Sequence, residues 1–197
     1  MAVAGLVGTQ AAFAGDSGWY VLGASGQTFG GSDKSSLANV LTSSGGIGFS
    51  SNLSRPTVYN LDLGYQLNKN IAFEGGYIGL NNETYTAFGG NLPTPVSLSV
   101  GISGWNAKVV GILPVADKFS LLGKVGVAEI KESINGTALG AVISTISSIT
   151  DITYGVGAKY DFNENIAGRI DLDRYSVGST SNNLQESVWT VGIAYKF

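Results

Sequence analysis

The chain of 197 residues has no cysteine and no histidine. Disulfides and thiolate metal sites are therefore excluded, as is any nucleophile activated by a histidine or supplied by a cysteine. Proline is scarce, with four residues, and methionine occurs once. Charge is scarce too. Asp, Glu, Lys and Arg make up 13% of the chain, where a soluble domain carries about 25%. The hydrophobic fraction is nevertheless 44% and the mean hydropathy is +0.19. A surface so short of charge points to lipid. No run of about 18 apolar residues exists, so a membrane-spanning helix is not expected. Only helices and closed barrels satisfy every backbone group inside a bilayer, and removing the helix leaves the barrel. A net charge of −3 and a pI near 4.8 supply no basic patch, so no nucleic-acid partner is expected.

The residues in abundance agree with a barrel. There are 29 glycines, nine tyrosines and eight phenylalanines; glycine disfavours helices and aromatic residues favour strands. Residues 1–14 read as a signal peptide. Met1 to Gly8 are small and apolar, and Ala12-Phe13-Ala14 is an A-x-A cleavage pattern. No basic residue precedes the apolar stretch, so the signal reads as truncated at its start. Residues 15–197 are expected to form one barrel domain.

Period-two alternation recurs along that domain. Tyr59, Leu61, Leu63, Tyr65 and Leu67 alternate with Asn60, Asp62, Gly64 and Gln66. Further segments begin at Ile71, Trp105, Phe119, Tyr154 and Ile166, and the last sets Trp189, Val191, Ile193, Tyr195 and Phe197 against Thr190, Gly192, Ala194 and Lys196. A first segment, Trp19 to Gln27, is ambiguous in phase because both faces are apolar or small. The expected fold is all-β: an eight-stranded antiparallel up-and-down transmembrane β-barrel. Three connections are short: Asn68–Asn70, Pro114–Lys118 and Asn163–Asn165. Four read as long loops, about Gly30–Pro56, Asn81–Val96, Lys131–Thr150 and Ser176–Glu186. Short turns at one rim and long loops at the other is the plan of outer-membrane barrels. Localisation in the cell outer membrane with both termini periplasmic follows as an expectation.

Alternation alone does not say which face meets lipid. The polar faces carry Asp62, Glu74, Asp171 and Asp173 with Lys108, Lys124, Lys159 and Arg169. Four acids and four bases are too few to cover a soluble barrel, yet balanced as a closed interior must be. The apolar faces are thus expected outside. Glu129 and Arg174 share their parity, but stand at loop ends, where exterior charges are tolerated.

In order and spacing, Trp19-Tyr20, Gly64-Tyr65-Gln66-Leu67-Asn68, Phe73-Glu74-Gly75-Gly76-Tyr77, Ala107-Lys108, Ile166-Ala167-Gly168-Arg169 and Val191 to Phe197 resemble the OmpA transmembrane-domain family of small outer-membrane barrels. The resemblance implies an interior ion-pair network of Glu74, Lys108, Lys159, Arg169 and Asp171, with Lys159 standing where the family has an acid and Asp171 as a compensating one. It also implies that Tyr195 and Phe197 form the C-terminal signal read by the barrel-assembly machinery. Outer-membrane lipid and lipopolysaccharide are the expected surroundings. Catalytic residues, metal ligands and cofactors are not expected, since small outer-membrane enzymes resemble one another in using a catalytic histidine. A structural or envelope-integrity role is the first reading. A narrow porin for small or hydrophobic solutes is the alternative. Apolar residues in loops one and three (Leu37, Val40, Leu41, Ile47, Phe49 and Leu53, then Leu139, Val142, Ile143, Ile146 and Ile149) leave room for a surface ligand.

Overall fold

The computed structural model describes residues 17–29, 48–51, 57–88, 96–138, 141–177 and 184–197. The signal segment and the loop residues Leu37, Val40, Leu41, Ile47, Leu53 and Leu139 lie outside them. Nine strands follow in order: β1 Gly18–Phe29, β2 Gly48–Ser51, β3 Thr57–Asn68, β4 Ile71–Phe88, β5 Val96–Ala116, β6 Phe119–Ala138, β7 Ala141–Asp161, β8 Ile166–Val177 and β9 Leu184–Lys196. Eight of them close a ring. Every consecutive pair from β3 to β9 is antiparallel, and β1 joins the ends by pairing with β3 on one side and β9 on the other. The short β2 adds to the far end of β4, from Gly48↔Phe88 to Ser51↔Tyr85.

The tight turns sit at one rim and follow from their residues. Asn68 Oδ1 accepts the backbone N–H groups of Asn70 and Ile71 at 2.8 and 3.0 Å. Asn163 Oδ1 does the same for Asn165 and Ile166 at 2.9 and 2.8 Å. Each asparagine side chain supplies an acceptor where the ladder has run out. At the third turn the register shifts between Pro114 and Ala116, the irregularity a proline without an N–H demands.

Outside, the barrel is apolar. Leu61, Leu63, Val109, Leu121, Val125, Ile170, Val191 and Ile193 are exposed. Aromatic rings bound this band. At the turn end Trp19 meets Tyr65 at 5.0 Å between ring centroids, Tyr160 meets Phe162 at 5.4 Å and Tyr195 meets Phe197 at 5.4 Å. At the other end Tyr77 stacks edgewise on Trp105 at 5.2 Å. Amphipathic rings at the two borders of a hydrocarbon layer are what lipid requires. Glu129 pairs in register with Trp105 of that girdle, and Arg174 with the exposed ring of Tyr154. Among the described residues no helix is long and apolar enough to cross a membrane.

Among the described residues, two expected loops are strand instead. Pairing of β4 with β5 resumes after a register break between Leu80 and Glu83 and runs to Ala87↔Val96. Pairing of β6 with β7 is unbroken from Phe119↔Tyr160 to Ala138↔Ala141. These stretches are rich in Ile, Val, Ser and Thr. Branched side chains favour the extended backbone, but outside the bilayer neither face has to be apolar, so the alternation fades while the strand continues. Phe49 falls in β2, and Val142, Ile143, Ile146 and Ile149 fall in β7. The wall thus rises on one side as hairpins β4–β5 and β6–β7.

Candidate functional site

The inner face is built by alternation. From β3 come Asn60 and Asp62, from β4 Glu74, from β5 Asn106 and Lys108, from β6 Lys124, and from β8 Arg169, Asp171 and Asp173; all are buried. The phase that the sequence left open on β1 is fixed: Tyr20 and Leu22 point inward, Trp19 outward. Glycines opposite the long side chains make the room. Tyr20 pairs with Gly64, Asp62 with Gly76, Asp173 with Gly155 and Asp171 with Gly157. A Cβ on any of these four glycines would overlap the facing ring or carboxylate.

The charges form one continuous chain across the lumen. Asp62 Oδ2 lies 3.2 Å from Lys108 Nζ, which lies 3.9 Å from Glu74 Oε2. Arg169 Nη1 pairs with Glu74 Oε1, and Tyr20 donates its hydroxyl to the same oxygen at 2.6 Å. Arg169 Nη2 continues to Asp171 Oδ2 at 3.1 Å. Lys124 Nζ then bridges Asp171 Oδ1 at 3.0 Å and Asp173 Oδ1 at 2.7 Å. Of the five residues assigned to the network from resemblance, Glu74, Lys108, Arg169 and Asp171 are brought together.

Lys159 has another partner. Its backbone pairs with Arg169, a like charge, while Asp161 lies two residues along the same face. Its ammonium meets Asp161 Oδ1 at 3.1 Å, where both side chains are partly exposed. Lys159 thus lines a cavity of about 50 Å³ at the turn end, with Gln66, Ile112 and Asn163. Asp62, Lys124 and Asp173 were legible as inner-face charges but not as links of the chain, because that needs the register. Tyr20 was missed with the phase of β1; Gly64 at the closing end of β3 is the signal that a ring lies opposite.

Apolar layers flank the charged layer at both ends. Toward the turns lie Tyr20, Leu22, Ala72, Val110, Ile112, Leu122, Ala167 and Ala194. Toward the hairpins lie Val58, Ile78, Ala128, Ile130, Tyr175 and Val188, with Leu80 and Ile102 packed against them. Among the described residues no three His, Cys, Asp or Glu side chains converge as they would on a metal ion.

A closed antiparallel ring with an apolar exterior, two aromatic girdles and a charged interior defines a membrane barrel of the outer-membrane class. The chain belongs to the outer membrane protein β-barrel domain family, whose model matches residues 1–197. It is an outer-membrane protein. Similar solved structures are Ail, the attachment invasion locus protein of Yersinia pestis, at 14% identity over 93% of this chain and 99% of that one, with a TM-score of 0.54. Neisserial surface protein A is 16% identical over 91% and 97%, also at 0.54. The N-terminal β-barrel domain of Pseudomonas aeruginosa OprF is 14% identical over 91% and 98%, at 0.50. At these identities the likeness is one of fold. No curated protein matches the sequence.

Proposed function

We propose that the protein is a closed barrel with a structural role in the outer membrane, whose projecting hairpins are available for contacts at the cell surface. The observation that carries this reading is the lumen. Side chains fill it, and an ionic layer lies between two apolar ones. An ion entering from either end has to cross an apolar layer, where it loses hydration and gains few partners. Bilayer recordings should therefore show no steady conductance from the wild type. A stable open level would overturn the closed reading in favour of a narrow porin. No enzymatic step is part of this role.

On this reading residues 1–14 direct export. Gly18 and Phe197 stand at the turn end, which faces the periplasm, and the hairpins face outward among lipopolysaccharide. The Ail fold has been solved with the heparin analogue sucrose octasulfate. Among the described side chains at the hairpin ends, Glu129, Glu132 and Asp151 stand against Lys131 and Arg174. That excess of acid favours a surface partner that is not a polyanion.

Tyr195 and Phe197 are assigned to the assembly signal. Phe197 also donates its N–H to Trp19 O at 3.0 Å, where the last strand meets the first. Deleting Phe197 should sharply lower the amount of barrel assembled in cells, while the same chain refolded in micelles should retain most of its stability. Wild-type insertion of the truncated chain in cells would show that the residue is no signal.

A further inference from the structure

Beyond the hairpin-end girdle the wall is an open sheet in the order β2, β4, β5, β6, β7. One margin, β2, is only four residues long. The other is β7, which pairs with β6 from Ala141 to Tyr160 but with β8 only from Thr153↔Tyr175 downward. From Ala141 to Ile152 its second edge has no strand beside it among the described residues. Native sheets protect such an edge with charge, proline or a bulge. None of these is present. Ala141 to Thr150 includes no charged residue and no proline, and the register with β6 is unbroken.

An independent observation singles out the middle of this edge. Ile146 is 74% exposed, the most exposed large apolar residue described. Lipid explains such exposure lower on the wall. Ile146, however, lies about 13 Å further along the strand than Thr150, which shares a row with Glu129 and Trp105 of the girdle. Around it the sequence Ile143-Ser144-Thr145-Ile146-Ser147-Ser148-Ile149 reads nearly alike in both directions. Two such edges, paired antiparallel about a two-fold axis normal to the sheet, place one residue on the axis. With Ile146 there, Ile143 stands opposite Ile149, Ser144 opposite Ser148 and Thr145 opposite Ser147. Like side chains meet, hydroxyls can bond to hydroxyls, and no like charges are opposed. Moving the axis by one residue sets isoleucine against serine.

We propose that the β7 edge binds the β7 edge of a second copy of this chain, antiparallel about Ile146. Main-chain hydrogen bonds supply the affinity, and the matched pairs fix the register. The interface is isologous, the same patch on both copies. Its half-turn reverses every direction within the sheet, the barrel axis included. The two barrels therefore meet hairpin to hairpin, and upright copies in one membrane cannot pair this way. The contact joins two facing membranes. That role, though not the pairing itself, rests on the outward placement of the hairpins proposed above.

The test is sedimentation of the full refolded chain in uncharged micelles, where the choice of outward rim does not enter. The wild type should dimerise as its concentration rises. Ile146→Lys and Ile146→Glu should each stay monomeric, since like charges would meet on the axis, and their equal mixture should dimerise again. Ser99→Lys, two strands from the edge on β5, should dimerise as the wild type does. A monomeric wild type would overturn the proposal and leave the edge to a strand of another protein. So would dimers that survive Ile146→Lys, or a mixture of the two charged variants that stays monomeric. Ile146→Cys keeps the edge uncharged in a chain without other cysteines. It should cross-link to a dimer under mild oxidation, and its failure to do so would equally overturn the pairing. Phosphatidylcholine vesicles carrying the wild type should cluster. Dimers in micelles without clustering of vesicles would uphold the pairing and overturn the outward placement.

Discussion

Arg169→Met should be the most damaging single substitution in the barrel interior, costing about 3–5 kcal/mol of stability. The guanidinium lies between Glu74 and Asp171 and bonds to both. Without it, the counter-charges left to the two buried carboxylates are Lys108, at 3.9 Å from Glu74, and Lys124, at 3.0 Å from Asp171. Glu74→Gln should cost less, because Arg169 retains Asp171 and the amide oxygen can still accept from Tyr20. The double replacement should cost less than the sum of the singles, since it removes a charge of each sign together. Denaturant unfolding in micelles of the wild type, both singles and the double measures the coupling. Additivity within about 0.5 kcal/mol would mean that the pair acts as two independent charges.

The second large effect is expected from the smallest change, Gly64→Ala. The Tyr20 ring lies against the Gly64 backbone, and the added methyl would overlap it. The ring cannot yield freely, since it is buried and its hydroxyl is tied to Glu74 at 2.6 Å. Overpacking costs about 1–3 kcal/mol, and loss of a hydrogen bond to a charged acceptor about 1.5–3 kcal/mol more. Gly75→Ala is the control: its methyl would point outward, with its nearest neighbour, Asn106 O, at 3.6 Å. In a Tyr20→Leu background Gly64→Ala should become nearly neutral. If it costs as much there as in the wild type, the ring is not what the glycine accommodates.

These two sites mark the limits of reading the chain as a sequence. Alternation was legible wherever a strand divides lipid from lumen, because each environment selects one class of side chain. It placed Glu74, Lys108, Arg169 and Asp171 on the inner face. On β1 both environments accept Tyr20, Val21 and Leu22, so nothing local sets the phase; Gly64 and Glu74, on other strands, do. Lys159 was assigned by its position in a family pattern, but Asp161, two residues on, offers it a counter-charge nearer water. The hairpin extensions were hidden for the opposite reason. Beyond the bilayer Ser, Thr and Ile suit either face, so those strands carry no alternating signature.

The seam between β1 and β9 bears on how the barrel comes into being. Tyr20 pairs with Lys196 and Phe29 with Ser187, contacts between opposite ends of the chain. Such pairing pays the largest loop-closure entropy and belongs among the slow steps of folding. Every charge in the lumen chain comes from β3 to β8, joined by hairpins, while the buried inward residues of the two seam strands are uncharged: Tyr20 and Leu22 on one, Val188, Thr190 and Ala194 on the other, with Lys196 on the same face only at the turn end. The ion pairs can therefore gather in a curved, still open sheet. Closure then brings in a wall whose buried residues are uncharged, and Tyr20 reaches Glu74 as part of that last step. Intermediates before closure would expose two unpaired edges and a preformed charged concavity, the species a dedicated assembly partner would have to hold.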